Sequence, residues 1–334
     1  MNQSLILLCL ISTLSGCAYQ HDSEPVVYDT VFIGGRVIDP ESGFDQQANV
    51  AINGGKIAAI SKSPLSAIET IDVTGLVVAP GFIDLHSHAL SKLGQQLQAM
   101  DGVTTALELE AGVYPIGALP EIVGGQSVIN YGASTSHLAV RQQVIEKIYK
   151  PHLLTPARSL PSQRGSNIER VAPQQSNAAF VQVATAQQRA AIKTHLQQGI
   201  EQGGLGIGLL LDYLSEALTT DELEMIFEVA GEADVPVFVH IRRGLPGDPV
   251  GIEEVIDLAK KHQTAVHVCH LNASAMGGVY AFLDLIAKAR ADGVDITTEA
   301  YPYNAGSTSI SAAVFNRDWQ SIFAITYQDI EWAD

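Results

Sequence analysis

The chain has 334 residues, of which 46% are hydrophobic and 16% are charged. That length and apolar content suffice for one large domain or two smaller ones. The formal net charge of -17 leaves no strongly cationic face, which argues against nucleic acid as a partner.

The first predicted element is a signal sequence. Residues 5–14 form an apolar run that is too short to span a bilayer but has the length of a signal-peptide core. It leads into Leu-Ser-Gly-Cys at residues 14–17, which resembles the lipobox of bacterial lipoproteins. The resemblance implies a signal peptide over residues 1–17, lipidation of Cys17, and a polar tether over residues 18–27. We therefore expect a lipid-anchored protein of the bacterial envelope, in the outer membrane and facing the periplasm; plain secretion and a misassigned start are the alternatives.

Residues 28–80 contain short runs rich in β-branched residues, separated by turn residues. Asn53-Gly54-Gly55 stands between two such runs, at residues 49–52 and 56–60. This composition is typical of a tight hairpin turn. The segment therefore predicts a small β subdomain.

From Gly81 onward, β-rich runs alternate with helical patterns, which indicates a parallel sheet covered by helices. The predicted strands end near His88, Glu110, Ser134, Leu210, His240, His270 and Tyr301. Helices are predicted over residues 185–203, 220–233, 251–262 and 279–292. Residues 150–178 are predicted to form a long loop on the face where such barrels carry their sites.

Seven strands do not close an eight-stranded barrel, and an open barrel leaves two sheet edges unpaired. Residues 302–334 contain no clear further strand–helix unit. We therefore expect residues 81–334 to be an α/β barrel that is truncated at its C-terminal end. The alternative is that residues 322–327 form a makeshift last strand.

The first chemical motif is His86 and His88 at the end of an apolar strand. Residues two apart on a strand point to the same face, so both imidazoles project together. At the carboxyl end of a barrel strand, two such imidazoles can hold one divalent metal. A pair of core histidines is the simpler alternative.

Glu108 and Glu110 alternate with Leu107 and Leu109 along the next strand. We expect the leucines to face the helices and both carboxylates to point into the barrel. Buried carboxylates are costly unless a cation compensates them. Glu110, nearest the carboxyl end, is the candidate to bridge two metals; a solvent-facing strand is the alternative.

Two further strands end in His240 and His270, where catalytic residues of barrels emerge. By alternation, His267 and Cys269 should face the helix layer as core residues. Imidazole and carboxylate ligands suit zinc, as one or two ions, although other divalent metals are not excluded.

Two polar residues are candidates for contacts with a substrate. Tyr301 ends the seventh strand and could donate a hydrogen bond to the oxyanion formed when water adds to an amide. Arg242 could pair with a substrate carboxylate. The alternatives are a packing tyrosine and a surface arginine.

Together these motifs resemble the amidohydrolase superfamily, and more closely the N-acyl-D-amino-acid deacylases. The resemblance covers residues 28–334. It is carried by residues 79–88, 101–112, 204–208, 240–242, 270–272 and 297–308. Leu-Glu-Leu-Glu-Ala-Gly at residues 107–112 resembles the N-acyl-D-glutamate deacylase branch.

The resemblance implies a metal-dependent hydrolase barrel of the (β/α)8 type, with a small β-sandwich subdomain at its N-terminal end. It implies that His86 and His88 bind the more buried metal, that His240 and His270 bind the second, and that Glu110 bridges them or holds the tighter one.

The resemblance also bears on neighbouring positions. Other branches have a metal-binding Cys near Ala111, so Glu110 takes that role here. Many have a Lys where this chain has Asn272, which makes Asn272, with Arg242 and Tyr301, a candidate substrate contact.

The implied activity is hydrolysis of a linear amide, releasing a D-amino acid and a carboxylate from a small N-acyl-D-amino acid, with D-glutamate favoured. The family's general acid/base, an Asp ending the eighth strand, has no matching position, so we expect little or no turnover from the 334 residues alone.

Two other functions are open. One is hydrolysis of a cyclic amide or a dipeptide, although residues 204–212 contain no lysine for the carbamylated bridge of many cyclic amidases. The other is a non-catalytic metal-binding lipoprotein or a decayed gene product. The sequence does not indicate an oligomeric state.

Overall fold

The computed structural model describes residues 26–159, 177–310 and 312–331. The chain divides into two compact units with the boundary between Pro80 and Gly81. The predicted signal peptide with Cys17, and nearly all of the predicted tether, lie outside the described residues. None of the described helices combines the length and the apolar character needed to cross a membrane.

The N-terminal unit is a five-stranded sheet. Its strands are β1 (Val27–Asp39), β2 (Phe44–Asn53), β3 (Lys56–Ser61), β4 (Ser66–Asp72) and β5 (Val77–Val78). β1 pairs antiparallel with β2 and parallel with β4 and β5, and β3 pairs antiparallel with β2. The predicted hairpin is confirmed: Asn53 pairs with Lys56, and Gly54 and Gly55 have the positive φ values of 56° and 74° that favour glycine in such a turn.

The described residues of this unit form one sheet, whereas the resemblance implied a two-layered sandwich. Val37, Ala48 and Val50 form a small buried cluster. Ile57 and Ile68, on the outer strands β3 and β4, are 66% and 82% exposed. Alternating apolar residues predict strands correctly, but they do not reveal how many layers the strands form.

The second unit is built on a curled seven-stranded sheet in which every neighbouring pair is parallel. The strands of this unit are β6 (Phe82–Asp84), β7 (Val103–Val113), β8 (Asn130–Ser136), β9 (Ile148–Tyr149), β10 (Arg158–Ser159), β11 (Ile207–Leu209), β12 (Val237–Val239), β13 (Val266–Val268) and β14 (Ile296–Thr298). β9 and β10 form a separate antiparallel ribbon, and the other seven follow one another in chain order. All seven predicted barrel strands are therefore confirmed, as a half-barrel.

Helices connect the strands and cover the sheet. They are α1 (Lys92–Met100), α2 (Leu119–Val123), α3 (His137–Arg141), α4 (Ala178–Val181), α5 (Ala186–Glu201), α6 (Thr220–Glu232), α7 (Val250–His262), α8 (Leu271–Ala275), α9 (Val279–Ala291) and α10 (Trp319–Phe323). The four predicted helices are confirmed as α5, α6, α7 and α9. A capping box starts α5, because Thr185 and Gln188 each accept a hydrogen bond from the other's backbone N–H, at 3.2 and 2.9 Å.

The main hydrophobic core lies between the sheet and these helices. Val237 and Val239 of β12 belong to it, together with Ile226 of α6 and Leu258 of α7. Successive side chains of a strand point to opposite faces, so Phe238 points to the other, concave face. The concave face and the carboxyl ends of the strands are where the candidate site lies.

Residues 322–327 do not form the makeshift last strand that we considered. They contain the end of α10 and the first residue of a 3-10 turn, Tyr327–Asp329. Asp318 caps α10 by accepting a hydrogen bond from the Ser321 N–H at 3.3 Å. Trp319 and Phe323, one helical turn apart, bury their rings in the same cluster, so the apolar residues follow a helical period.

Candidate metal centre

Glu110 lies at the centre of the candidate site. Its Oε1 is 2.8 Å from Nδ1 of His240 and 2.7 Å from Nε2 of His270. Its Oε2 is 3.3 Å from Nε2 of His86 and 3.4 Å from Nε2 of His88. The structure thus brings together the five residues that the sequence suggested as metal ligands, with one carboxylate between two pairs of imidazoles.

A second carboxylate orients His88. Glu108 is fully buried, and its Oε2 lies 2.8 Å from Nδ1 of His88 and 2.8 Å from Nε2 of His152. Nδ1 of His152 accepts the Leu154 N–H at 3.3 Å, so its Nε2 carries the proton that is donated to Glu108. An ionised carboxylate only accepts, so Nδ1 of His88 is protonated, and Nε2 is the nitrogen that would bind a metal once it loses its own proton.

His86 is held in the same way by Glu299, whose Oε1 lies 2.9 Å from Nδ1 of His86. Glu299 also accepts the backbone N–H of His270. The carboxylate thereby ties the end of β14 to ligand candidates that follow β6 and β13. Metal-binding histidines are commonly oriented by carboxylates in this manner.

His240 and His270 turn their second nitrogens toward polar groups as well. Nδ1 of His270 lies 3.3 Å from Oγ of Ser274. Nε2 of His240 lies 3.9 Å from Oδ2 of Asp212, and both of these atoms are buried without a hydrogen-bond partner among the described residues. A hydrogen bond between these two atoms would place the proton of His240 on Nε2 and leave Nδ1, which faces Glu110, as the ligand nitrogen.

The local structure of β7 differs from the prediction. Leu107 and Leu109 do not face the helices: they cluster with Phe238 and Cys269, on the concave side of the sheet. The register of β7 with β8 shifts after Glu108, so simple alternation does not continue to Glu110. An irregularity of this kind re-aims side chains, and here both glutamates are buried among histidines.

The prediction for the sixth strand was also wrong in its parity. Val266 and Val268 belong to the helix-facing core, so His267 and Cys269 lie on the concave side, where Cys269 contacts Leu109 and Phe238. His270 nevertheless reaches Glu110, because the strand ends at Val268 and His270 has a positive φ of 34°. A non-glycine residue in this region is strained, and such strain is found at functional sites.

The site is strongly polarised. Burial alone would raise the pKa of the Glu110 carboxyl, but the imidazoles of His240, His270 and His86 outweigh it and hold that pKa well below its ordinary value. Burial lowers the pKa of His88, but its hydrogen bonds to Glu108 and Glu110 raise it to about 10. Buried carboxylates in such numbers require positive charge at the site, from protons or from a metal.

The donor set fits a divalent metal such as zinc. The ligand atoms of His86, His88 and Glu110 lie within 4.8 Å of one another, and so do those of Glu110, His240 and His270. Neutral imidazole nitrogens and a carboxylate are typical zinc ligands. Each of these groups of three is a triad of ligand candidates. Glu110 directs one carboxylate oxygen to each triad, so it is suited to bridge two ions.

Comparison with known proteins agrees with this geometry. The sequence model of the amidohydrolase family matches residues 77–317. The chain belongs to the amidohydrolase family.

This amidohydrolase is similar to deacylases of D-amino acids. It is 28% identical over 290 residues to an N-acyl-D-glutamate deacylase of Alcaligenes xylosoxydans xylosoxydans, covering 84% of this chain and 58% of the relative. It is 26% identical over 302 residues to a D-aminoacylase of the same organism, covering 87% and 60%. Because the chain spans less than two thirds of these relatives, what they act on is for this chain only a proposal.

An allantoinase of Escherichia coli K12 is equally similar, with 26% identity over 310 residues that cover 83% of this chain and 59% of the relative. Among solved structures, N-acyl-D-glutamate deacylase from Bordetella bronchiseptica, complexed with zinc and a phosphonate inhibitor, superposes with a TM-score of 0.61. The two share 24% identity over 83% of this chain and 59% of the other, a likeness that shows a common fold.

The predicted substrate contacts of this amidohydrolase have different surroundings. Tyr301 is half-buried with its ring centroid 6.4 Å from that of His270, beside the site as expected. Asn272 donates from Nδ2 to the Tyr301 carbonyl at 3.2 Å, which gives it a part in holding the loop after β14.

Arg242 does not fit the role of a substrate contact. Its Nε donates to Glu254 at 2.9 Å, and its other two nitrogens donate to the carbonyls of Ser215 at 2.9 Å and Leu218 at 3.2 Å. These bonds fix the loops around α6 and α7. The sequence predicted Arg242 as a substrate contact because it closely follows His240, but it did not reveal that these bonds occupy its guanidinium.

A cavity of about 320 Å³ adjoins His88 on the side of the ribbon β9–β10. Leu90 and Ile122 contribute apolar surface to it, and His152 and Arg158 contribute polar groups. Its position beside a ligand candidate makes it a possible entrance or binding space. The sequence did not indicate it, because residues 149–158 carry no periodic pattern.

Proposed function

We propose that this site is the centre of a metal-dependent amidohydrolase that cleaves the linear amide of an N-acyl-D-amino acid, releasing a D-amino acid and a carboxylate. The observation that carries the proposal is the position of Glu110, with one oxygen toward His86 and His88 and the other toward His240 and His270. No simpler structural role explains why four imidazoles surround one buried carboxylate.

A divalent metal, with zinc as the first choice, would supply Lewis-acid activation of water and of the amide carbonyl. Glu110 and the four histidines would hold it, and Glu108 and Glu299 would keep His88 and His86 in the binding tautomer. Tyr301, whose ring centroid lies 6.4 Å from that of His270, would donate its hydroxyl to the oxyanion that develops on the carbonyl oxygen.

D-Glutamate is the favoured amino acid of the substrate. Support comes from the similarity to an N-acyl-D-glutamate deacylase over 84% of this chain. The acyl group is open, since the cavity beside His88 has both apolar and polar walls.

The direct test is an assay of the purified chain with added zinc on N-acetyl-D-glutamate, beside the Glu110→Gln variant. The quantity that decides is the rate above that of the variant. Release of D-glutamate that depends on both zinc and Glu110 supports the proposal. Stoichiometric zinc with no rate above the variant would favour a non-catalytic metal-binding protein.

Hydrolysis of a cyclic amide is the second candidate, favoured by the similarity to an allantoinase. The segment Gly204–Asp212 at β11 contains no lysine, so a carbamylated-lysine bridge is not available there. Allantoin and a simple hydantoin should be assayed beside N-acetyl-D-glutamate. A rate on either that exceeds the rate on the linear amide would reverse the order of the two candidates.

We further propose that the protein is anchored to the outer membrane through Cys17 and faces the periplasm. Support comes from the sequence of residues 5–17 alone. Expression of the full chain with and without Cys17→Ala, followed by membrane fractionation and labelling with a radioactive fatty acid, tests this. Label that persists in the variant, or a wild-type protein without label, would contradict the anchor.

A further inference from the structure

We propose that Arg243 is the residue that binds the carboxylate of the substrate. The inference rests on the proposed function, because it assumes an N-acyl amino acid at the metal centre. It assigns to Arg243 the role that sequence analysis had suggested for its neighbour Arg242.

Arg243 is built into the rim of the site. It follows β12 three residues after His240, and its backbone N–H donates to Oδ1 of Asp212 at 3.0 Å. Its guanidinium lies over the ring of Phe323, 5.1 Å from the ring centroid. The backbone anchor and the aromatic face hold the side chain in place and leave the edge of the guanidinium plane available.

The side-chain donors of Arg243 make no hydrogen bond to the described residues. Its Nε is buried without a hydrogen-bond partner among the described residues. The Asp212 carboxylate, which accepts the Arg243 backbone N–H, forms its ion pair with Arg317 at 2.8 Å. Arg242 next to Arg243 presents the opposite case, with its guanidinium bound to Glu254 and to two carbonyls.

Asp212 links Arg243 to the candidate metal centre. Its Oδ1 accepts the Arg243 backbone N–H at 3.0 Å, and its Oδ2 lies 3.9 Å from Nε2 of His240. Arg243 therefore lies beside a ligand candidate.

The chemistry of an N-acyl amino acid matches this arrangement. Its α-carboxylate is attached to the carbon that carries the scissile amide nitrogen, so it must lie close to the metal centre when the amide carbonyl is in position. A planar guanidinium with unused donors recognises a carboxylate through two parallel hydrogen bonds. A buried donor that has no partner in the protein gains one when the substrate binds.

The test measures binding by calorimetry to the zinc-loaded full chain. The ligand is N-methanesulfonyl-D-glutamate, in which a sulfonamide replaces the amide so that it is not hydrolysed, together with its α-amide and its γ-amide. The variants are Arg243→Met and Arg243→Lys. The matched control is Arg242→Met, next in sequence.

We expect Arg243→Met to weaken binding of the parent ligand by about 10- to 100-fold, the range for loss of hydrogen bonds to a charged group. Binding of the α-amide should be weak in the wild type and should change little in the variant. Arg243→Lys should recover part of the affinity, since lysine keeps the positive charge but lacks the planar pair of N–H donors of a guanidinium. Zinc content should stay at the wild-type value in both variants.

The control distinguishes this role from a structural one. Arg242→Met should lower the melting temperature and leave the affinity of the folded protein unchanged. Equal affinities of wild type and Arg243→Met would overturn the assignment while leaving the proposed hydrolysis intact. Arg243-dependent binding without any zinc-dependent hydrolysis would overturn the proposed function alone, and absence of binding to the wild type would overturn both.

Discussion

Nε2 of His270 lies 2.7 Å from Oε1 of Glu110, although 160 positions of the chain separate these two residues. The contact joins the end of β13 to β7, across the concave side of the sheet. It exists because parallel strands place their carboxyl ends at one edge, and a curled sheet brings those ends together. Metal binding, if Glu110 bridges two triads, should therefore depend on Glu110 more than on any one histidine.

Replacement of Glu110 by Gln is expected to lower zinc affinity by more than about 100-fold, beyond the roughly 10- to 100-fold that is typical of groups that only orient a ligand. The side-chain amide of Gln is neutral, so the four imidazoles lose the negative charge that lies between them. Competition with a chromophoric chelator measures the affinity. Glu253→Gln, on the exposed face of α7, is the control, and equal zinc affinities of the two variants would contradict the bridging role.

Replacement of Glu108 by Gln tests the orienting pair His88–Glu108. The amide keeps one acceptor oxygen but loses the negative charge and the second acceptor, so it holds the Nδ1 proton of His88 less firmly. We therefore expect zinc affinity to fall by about 10- to 100-fold with the far-ultraviolet circular dichroism unchanged. Glu121→Gln is the control, since Glu121 lines the same cavity as His88. A variant that binds zinc like the wild type would show that Glu108 only fills space.

Replacement of Tyr301 by Phe tests the oxyanion donor. We expect kcat on N-acetyl-D-glutamate to fall by about 100-fold or more, as on loss of one such donor elsewhere, with little change in KM. Tyr303→Phe is the matched control, because Tyr303 is 70% exposed two residues further on. A loss that appears in KM alone would instead make Tyr301 a packing residue of the binding site.

Much of this site was predictable from the sequence, because barrel strands are recognisable as apolar runs and their carboxyl ends carry the catalytic and ligand residues. His86, His88, Glu110 and His240 all follow that pattern. The pattern also predicted His270 as a ligand, and the structure does bring it to Glu110. The alternation used along β13 was wrong, however, because it placed His267 and Cys269 in the helix layer. The positive φ of His270 reverses the parity, and no local signal in the sequence reports it.

The orienting groups were harder to predict. Glu299 stands in a recognisable strand motif, but its partner His86 is 213 positions away. His152 lies in a segment without periodicity, and its role depends on the loop that carries it back to Glu108. Arg243 was passed over because two adjacent arginines are equivalent in sequence, and only the bonds made by Arg242 separate them.

A second buried cluster outside the site should control stability. Arg141, fully buried on α3, donates to both carboxylate oxygens of Glu222 at 2.6 Å, and Nε2 of His137 lies 3.0 Å from the same carboxylate. Glu222→Gln leaves the Arg141 charge uncompensated, so we expect the free energy of unfolding in urea to fall by about 3–5 kcal/mol. Glu228→Gln, on the same helix as Glu222, removes an exposed pair with Lys193 of α5 and should cost less than about 1 kcal/mol.

The effect of Glu222 should depend on pH in a defined direction. Burial raises the pKa of the Glu222 carboxyl, but His137 and Arg141 outweigh burial and hold that pKa below its ordinary value of 4.5. A group whose pKa is lower in the folded state contributes stability above its unfolded pKa and loses it as pH falls through the folded pKa. The difference between wild type and Glu222→Gln should therefore be largest at about pH 7 and shrink below about pH 4.5. Urea unfolding of both proteins across this range measures it; a constant difference would mean that shape, and not the charge of Glu222, stabilises the cluster.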